Sequence, residues 1–451
     1  MTALDSLRDR LAKLLAERAP ELGVPGATVA VHQAGEEFHL CHGVTSTENP
    51  LPVTPDTLFA IGSVTKTYTA TAVMRLAALG KVELDAPVNR YVPEVALKET
   101  GITVLQLLNH TAGFDGGDGA GGRSRDDGAL AAFVDRMARL EQVFPPGTVV
   151  SYNNAAFCLA GRVIEKVTGK TYEAAVKELV FDHAGLRNSF FDIADVITRR
   201  FAVGHGNKGA DDGSTAVIHT WHMERDRAAA GGVFCDIRDL LAYGRHHLDD
   251  EGLAPMREPS TDLPYDDARV GLSWILRDVG GVRVVQHTGG TVCGAAVLQL
   301  VPERDLVVAV TVNTIGTGAG TLIAEIEEAV LGSHLGLAPE KPERVTLTAE
   351  ELAEYAGTYD RGDGHLLVVR PDGDRLEVLR EYSEEIIARY RARMPDLVVP
   401  VQKPLTLVPL AGDAFFQADR AGHRPDGTFV RQADGKIVGV RWSHRVARRI
   451  A

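Results

Sequence analysis

The strand-forming runs of this chain fall at both ends of its first 335 residues, with a helical block between them. Residues 27–33 and 37–43 read as two strands turning around Ala34-Gly35, and 282–287, 295–301 and 305–312 are further β-branched runs. Helical periodicity occupies 64–79, 103–108, 129–141, 155–167 and 172–181, and returns at 320–331. Such a chain buries its apolar strands by joining its two ends into one antiparallel sheet and laying helices against it. The expected fold class is α+β, an antiparallel sheet flanked by helices with an all-helical subdomain.

Around 336–345 the sequence becomes linker-like, with Pro339 and Pro342 among charged residues. Beyond it, short alternating runs are separated by turn signals at Asp372-Gly373, Ala411-Gly412, Asp426-Gly427 and Asp434-Gly435. The expected organisation is a catalytic domain over 1–335, a linker over 336–345, and a small antiparallel β-barrel over 346–451.

Composition narrows the function classes. A formal net charge of −13 argues against nucleic acid and anionic membrane surfaces as partners. No apolar run approaches the roughly 20 residues that span a bilayer. The N-terminus reads as an amphipathic helix, with a Thr2/Asp5 capping box and a stripe of Leu4, Leu7, Leu11, Leu14 and Leu15, rather than as a secretion signal. Cys41, Cys158, Cys235 and Cys293 lie far apart and lack metal-ligand spacing, as expected of core thiols in a reducing compartment. A cytoplasmic protein without metal or cofactor is the expectation.

Three short motifs carry chemistry. Ser63 and Lys66 lie three residues apart, which puts hydroxyl and amine on one helix face, one turn apart. A serine needs such a base to attack a carbonyl at neutral pH. Tyr152 and Asn154 project together from an extended turn, and can move a proton and hold an amide. His287-Thr288-Gly289-Gly290 ends a strand on glycines, where a ligand can approach the backbone closely. The segment His110-Thr111-Ala112-Gly113 superficially repeats this last motif. It follows a helix and precedes the glycine-rich, charged stretch 113–128, so it reads as a turn without catalysis beside a surface loop or lid.

Together these motifs resemble the penicillin-recognising serine enzymes: penicillin-binding proteins, class C β-lactamases, and related esterases and D-aminopeptidases. The segments 107–114 and 230–234, with Asn313, add to the resemblance, which covers roughly 20–335. It implies Ser63 as nucleophile, Lys66 as its base, Tyr152 in proton transfer and His287 in the cleft. The oxyanion hole would be the backbone N–H groups of Ser63 and Gly290. Asn154, Thr288, Gly289, Trp221 and Gly231 would bind substrate. The second domain resembles the lipocalin-like module appended to several of these hydrolases.

His287 stands where many relatives carry lysine, so the permanent charge that would clamp a substrate carboxylate is missing. This weakens the β-lactamase and carboxypeptidase readings. In the basic segment 441–451, Arg445 or Arg448 could reach the cleft mouth and replace that clamp; a solvated tail is the other reading. The architecture also occurs in penicillin-binding-protein-type thioesterases that release nonribosomal peptides as macrocycles. A trans-acting cyclase that accepts a peptidyl thioester from a carrier protein is the leading expectation. A D-stereospecific peptidase or amidase comes second and an esterase third. The oligomeric state is not legible.

Overall fold

The computed structural model describes all residues except 1, 117–121, 123, 208–214, 221–223, 263–268, 339–342, 394–402, 419–424 and 433; of 207, 262, 389, 390 and 393 it describes the backbone alone. The two ends of the first region meet as expected. An eight-stranded sheet runs in the order Glu36–Gly43, Gly26–Gln33, Leu306–Val312, Gly294–Val301, Val282–Thr291, Ile275–Val279, Arg269–Val270 and Thr261–Asp262. Every pairing is antiparallel, and Ala27 opposes Val312 at the seam between early and late chain.

Strand Leu306–Val312 is buried at all its positions, because both faces of the sheet are covered. On one face lie the N-terminal helix Ala3–Glu21 and helix Thr317–Glu327. The Thr2/Asp5 capping box is formed, and Leu4, Leu7, Leu11 and Leu15 bury the predicted stripe. Each such leucine contributes about 1.5–3 kcal/mol when fully buried. The other face carries the helical block, including Thr65–Ala78 and Asn154–Thr168, whose apolar residues form the largest core cluster.

The C-terminal region is a closed barrel of eight consecutive strands, from Gly357–Asp360 to Arg445–Arg449. Its core includes Leu352, Tyr359, Val378, Leu407, Phe415, Phe429, Val440 and Trp442. The basic segment read as a candidate tail is the closing strand, with Asp360 opposite Arg448. The preceding strand, Ile437–Trp442, reaches it through the two-residue turn Ser443-His444. Both turn residues have positive φ, +50° and +65°, as a tight hairpin turn demands. Neither is glycine, so the turn stores about 1–2 kcal/mol per residue.

That turn fastens the barrel to the helical block. The Tyr152 N–H donates to the His444 carbonyl at 2.8 Å, and the Val446 N–H to Ser151 Oγ at 3.1 Å. Arg441, itself buried, donates through Nε to the Val150 carbonyl at 3.3 Å.

All four cysteines are free; Cys158, Cys235 and Cys293 are buried and Cys41 is half-buried. Among the described residues no helix is long and apolar enough to cross a membrane.

Candidate active site

Ser63 occupies a 3-10 turn, Gly62–Val64, that runs straight into helix Thr65–Ala78. The turn meets strand Val282–Thr291 through two glycines. A Cβ on Gly62, at φ +51°, would lie 2.8 Å from the Gly290 nitrogen. A Cβ on Gly289 would lie 1.9 Å from the Ile61 carbonyl oxygen and 3.0 Å from the Ser63 nitrogen. No larger residue fits at Gly289, so the missing side chain is what sets the amides of Ser63 and Gly290 close together.

Lys66 is fully buried. Its Nζ donates to Ser63 Oγ at 3.1 Å and to the Ala230 carbonyl at 2.7 Å, and sits 4.7 Å from the centre of the Tyr152 ring. Hydroxyl, amine and phenol are thus in one cluster, positioned by a helix, by the end of the short helix Ala228–Gly231 and by the 150–153 loop.

Three imidazoles surround that cluster. His287 is buried, donates from Nδ1 to the Thr288 carbonyl at 2.6 Å, and has its ring 6.2 Å from that of Tyr152. Burial first, and then the Lys66 charge, push it down to about 3. His444 is exposed at the cavity mouth; desolvation by the surrounding chain, then Arg441 and Arg277, lower its imidazole below the usual range. His110 lies 4.6 Å from the Tyr152 ring and accepts the Asn153 N–H through Nδ1 at 3.1 Å. Burial, then Lys66 and His287, hold it well below the usual imidazole range. Near neutral pH the buried His287 and His110 are uncharged.

A cavity of about 470 Å³ opens above Ser63, a volume suited to a small-molecule or peptidyl group. Tyr152, His287, Thr288 and Gly290 line one side. The opposite wall comes from the barrel: Arg361, His365, Arg380, Tyr382, Trp442, His444 and Arg445 all border it. The Arg445 guanidinium lies 5.5 Å from the Tyr152 ring centre.

Other expected residues fall elsewhere. Arg448 is exposed, so of the two arginines only Arg445 borders the cavity. Three residues beyond Arg445, Arg448 is about 10 Å farther along the strand, and it faces away from Ala447, whose side chain enters the barrel core. Gly231 is buried behind Lys66, at the end of the short helix, rather than in the cavity wall. Asn154 is half-buried at the start of helix Asn154–Thr168 and is not among the lining residues. Its neighbour Asn153 does the local work. It caps that helix through the Ala156 N–H at 2.9 Å and donates to the Phe114 carbonyl at 2.7 Å. Trp221 lies outside the described residues, as does much of the 113–128 loop. His110 escaped the sequence reading as a site residue. It is a turn residue, as expected, but the turn holds the tyrosine loop, and the Ser151 N–H donates to its carbonyl at 2.9 Å.

The Beta-lactamase family profile matches residues 8–330. Penicillin-binding protein 4 of Amycolatopsis lactamdurans is 32% identical over 368 residues, which cover 76% of this chain and 94% of that protein. Esterase EstB of Burkholderia gladioli is 35% identical over 216 residues, 44% of this chain and 54% of its own. Among solved structures, SurE with D-Leu matches with a TM-score of 0.74 and 27% identity, covering 99% of this chain and 100% of that one. On the extent of the family match and the near-complete overlap with Penicillin-binding protein 4, this chain belongs to the beta-lactamase family and is a serine hydrolase or acyltransferase.

Proposed function

We propose that this protein is a trans-acting peptide cyclase, which accepts a peptidyl thioester on Ser63 Oγ and releases it by attack of the peptide's own amine. In this reading Lys66 takes the Ser63 proton as Oγ attacks the thioester carbon, and the backbone N–H groups of Ser63 and Gly290 hold the oxyanion. Tyr152 passes the proton to the departing thiolate.

The observation that carries the reading is the barrel wall. The turn Ser443-His444 and Trp442 sit across the cavity from Ser63, so an acyl chain on Oγ is enclosed by two regions of the chain. Enclosure limits water and favours an intramolecular acceptor. The full-length match to SurE, whose structure was determined with D-Leu, supports a D-configured residue near the scissile carbonyl. His287, held neutral, offers no fixed cation to a β-lactam or terminal carboxylate, which disfavours β-lactamase and D,D-carboxypeptidase chemistry. Arg445 is the group placed to take a carboxylate instead.

The test is incubation with a peptidyl thioester ending in a D-residue, with products resolved by mass. A macrolactam is expected. Linear acid as the sole product overturns the cyclase in favour of a D-stereospecific amidase, an activity carried by a Streptomyces amidohydrolase of TM-score 0.58 and 25% identity, covering 71% of this chain and 97% of that one. An esterase would give the same acid, and would favour oxygen esters over amides.

A further inference from the structure

The barrel contributes a hydrogen-bonded Arg–Asp–His cluster as well as a wall. Between strands Gly357–Asp360 and His365–Asp372 the chain turns through Arg361, Gly362, Asp363 and Gly364. Asp363 is buried there with both oxygens engaged. Oδ2 accepts from Arg361 Nη2 at 2.7 Å, and Oδ1 lies 2.8 Å from His365 Nδ1. The His365 backbone N–H also points to Oδ1, at 3.3 Å. The ring packs edge-on against Tyr382 at 5.0 Å.

The turn is firmly set. Arg361 N–H donates to the His365 carbonyl at 3.1 Å, Gly362 N–H to Asp360 Oδ1 at 2.8 Å, and Ser383 N–H to the Gly364 carbonyl at 2.9 Å. A Cβ on Gly362 would lie 3.0 Å from Val143, so the turn also abuts the first region of the chain.

A carboxylate on Nδ1 makes that nitrogen the donor and leaves the basic lone pair on Nε2. A guanidinium on the other oxygen keeps the carboxylate ionised in a buried place. This is the arrangement of an oriented general base, and Arg361, His365 and Tyr382 border the same cavity as Ser63.

We propose that the Asp363–His365 pair is the general base for the acceptor that resolves the acyl-enzyme, with Arg361 as its positioning residue. The proposal rests on the reading that Ser63 forms an acyl ester, and holds whether the resulting peptide is cyclic or not. An incoming ammonium gives one proton to His365 Nε2. The freed nitrogen lone pair attacks the ester carbon; the C–N bond forms and the C–Oγ bond breaks, its electron pair going to Oγ. A second proton passes from the nitrogen through Tyr152 and Lys66 to Oγ. His365 then releases its proton to solvent. Ester and ammonium become amide, serine hydroxyl and one proton.

The experiment is rapid mixing of the full-length enzyme with the p-nitrophenyl ester of an N-acyl-D-amino acid, with a D-amino acid amide as acceptor. The burst reads acylation and the later phase reads deacylation. His365→Gln should slow aminolysis on the order of 10²-fold and change the burst less than twofold. Asp363→Asn should lose about tenfold, and added imidazole should restore part of the deacylation in His365→Ala. Unchanged aminolysis in His365→Gln overturns the proposal. So does equal loss of burst and deacylation without imidazole rescue, which would mark a structural turn. A wild type with no burst would overturn the acyl-enzyme reading first, and this proposal with it.

Discussion

The two walls of the cavity are built by different means. The Ser63 wall is made of short-range spacing and close backbone approach: a helix sets Lys66 against Ser63, and bare glycines let strand and turn touch. The barrel wall is made of long-range contacts, a strained hairpin turn and a buried Arg–Asp–His turn, both joined to the rest of the molecule at the tyrosine loop or beside it. The first fixes what bond is attacked. In the proposed mechanism the second selects the acceptor, and what can fit. If this division holds, variants in the first wall stop acylation, whereas variants in the second change affinity and product.

The largest effect should come from Ser63→Ala, which removes acylation altogether, a loss of about 10⁴-fold or more, with Lys66→Ala nearly as severe because the pair acts as a unit. Covalent labelling followed by intact mass reads both; turnover near wild type in either would dissolve the contrast. Gly289→Ala drives a methyl into the Ile61 carbonyl. Acylation should fall on the order of 10²-fold as the oxyanion donors move, and a normal burst would show that the close approach is dispensable.

Arg445→Ala should raise KM for carboxylate-bearing substrates about tenfold, the worth of one charge-assisted contact, and leave the burst amplitude intact. Equal KM values for acid and amide forms of one substrate would remove the clamp. A smaller effect is expected from Ser443→Asn combined with His444→Gly, residues that accept this turn without strain. Melting temperature should rise by about 2 °C or more, and the linear-acid share of product should grow as the His444 ring leaves the wall. A lowered melting temperature would mean that the ring's packing outweighs the strain.

The smallest effect concerns pH. His287 titrates near 6.5 when unfolded and is pushed down to about 3 when folded. Between these values the unfolded state binds the extra proton, so His287 costs the fold nothing above the window and destabilises it progressively as pH falls from 6.5 towards 3. His287→Gln should flatten the decline of urea midpoint between pH 6.5 and 4; an unchanged slope would place the acid sensitivity elsewhere.

What the sequence disclosed follows the same divide. The Ser63–Lys66 spacing, the Thr2/Asp5 cap and the strands at both ends of the first 335 residues are local patterns, and local patterns are readable. Arg445 was half-read: its charge was visible, but Ser443-His444 lacks the Asn-Gly signal that announces a tight hairpin, so the closing strand looked like a tail. Asn154 stands half-buried at the start of its helix, and the Tyr-x-Asn spacing does not announce that the asparagine between them, Asn153, caps that helix. Arg361, Asp363 and His365 carry no motif at all. They gain meaning only where the fold brings them to the cavity that Ser63 also borders, and no period in the sequence encodes that.

The seam at which Ala27 opposes Val312 has a consequence for how the enzyme is made. A ribosome adding 5–20 residues per second needs roughly 15–60 s to travel from the first strand to its partner, and contacts so distant in sequence also close slowly. For most of that interval Ser63 has been synthesised while the strand bearing Gly290, Val282–Thr291, has not. The cavity waits longer still, for the closing strand Arg445–Arg449. Nascent and truncated chains should therefore be chemically silent until both walls of the cavity exist.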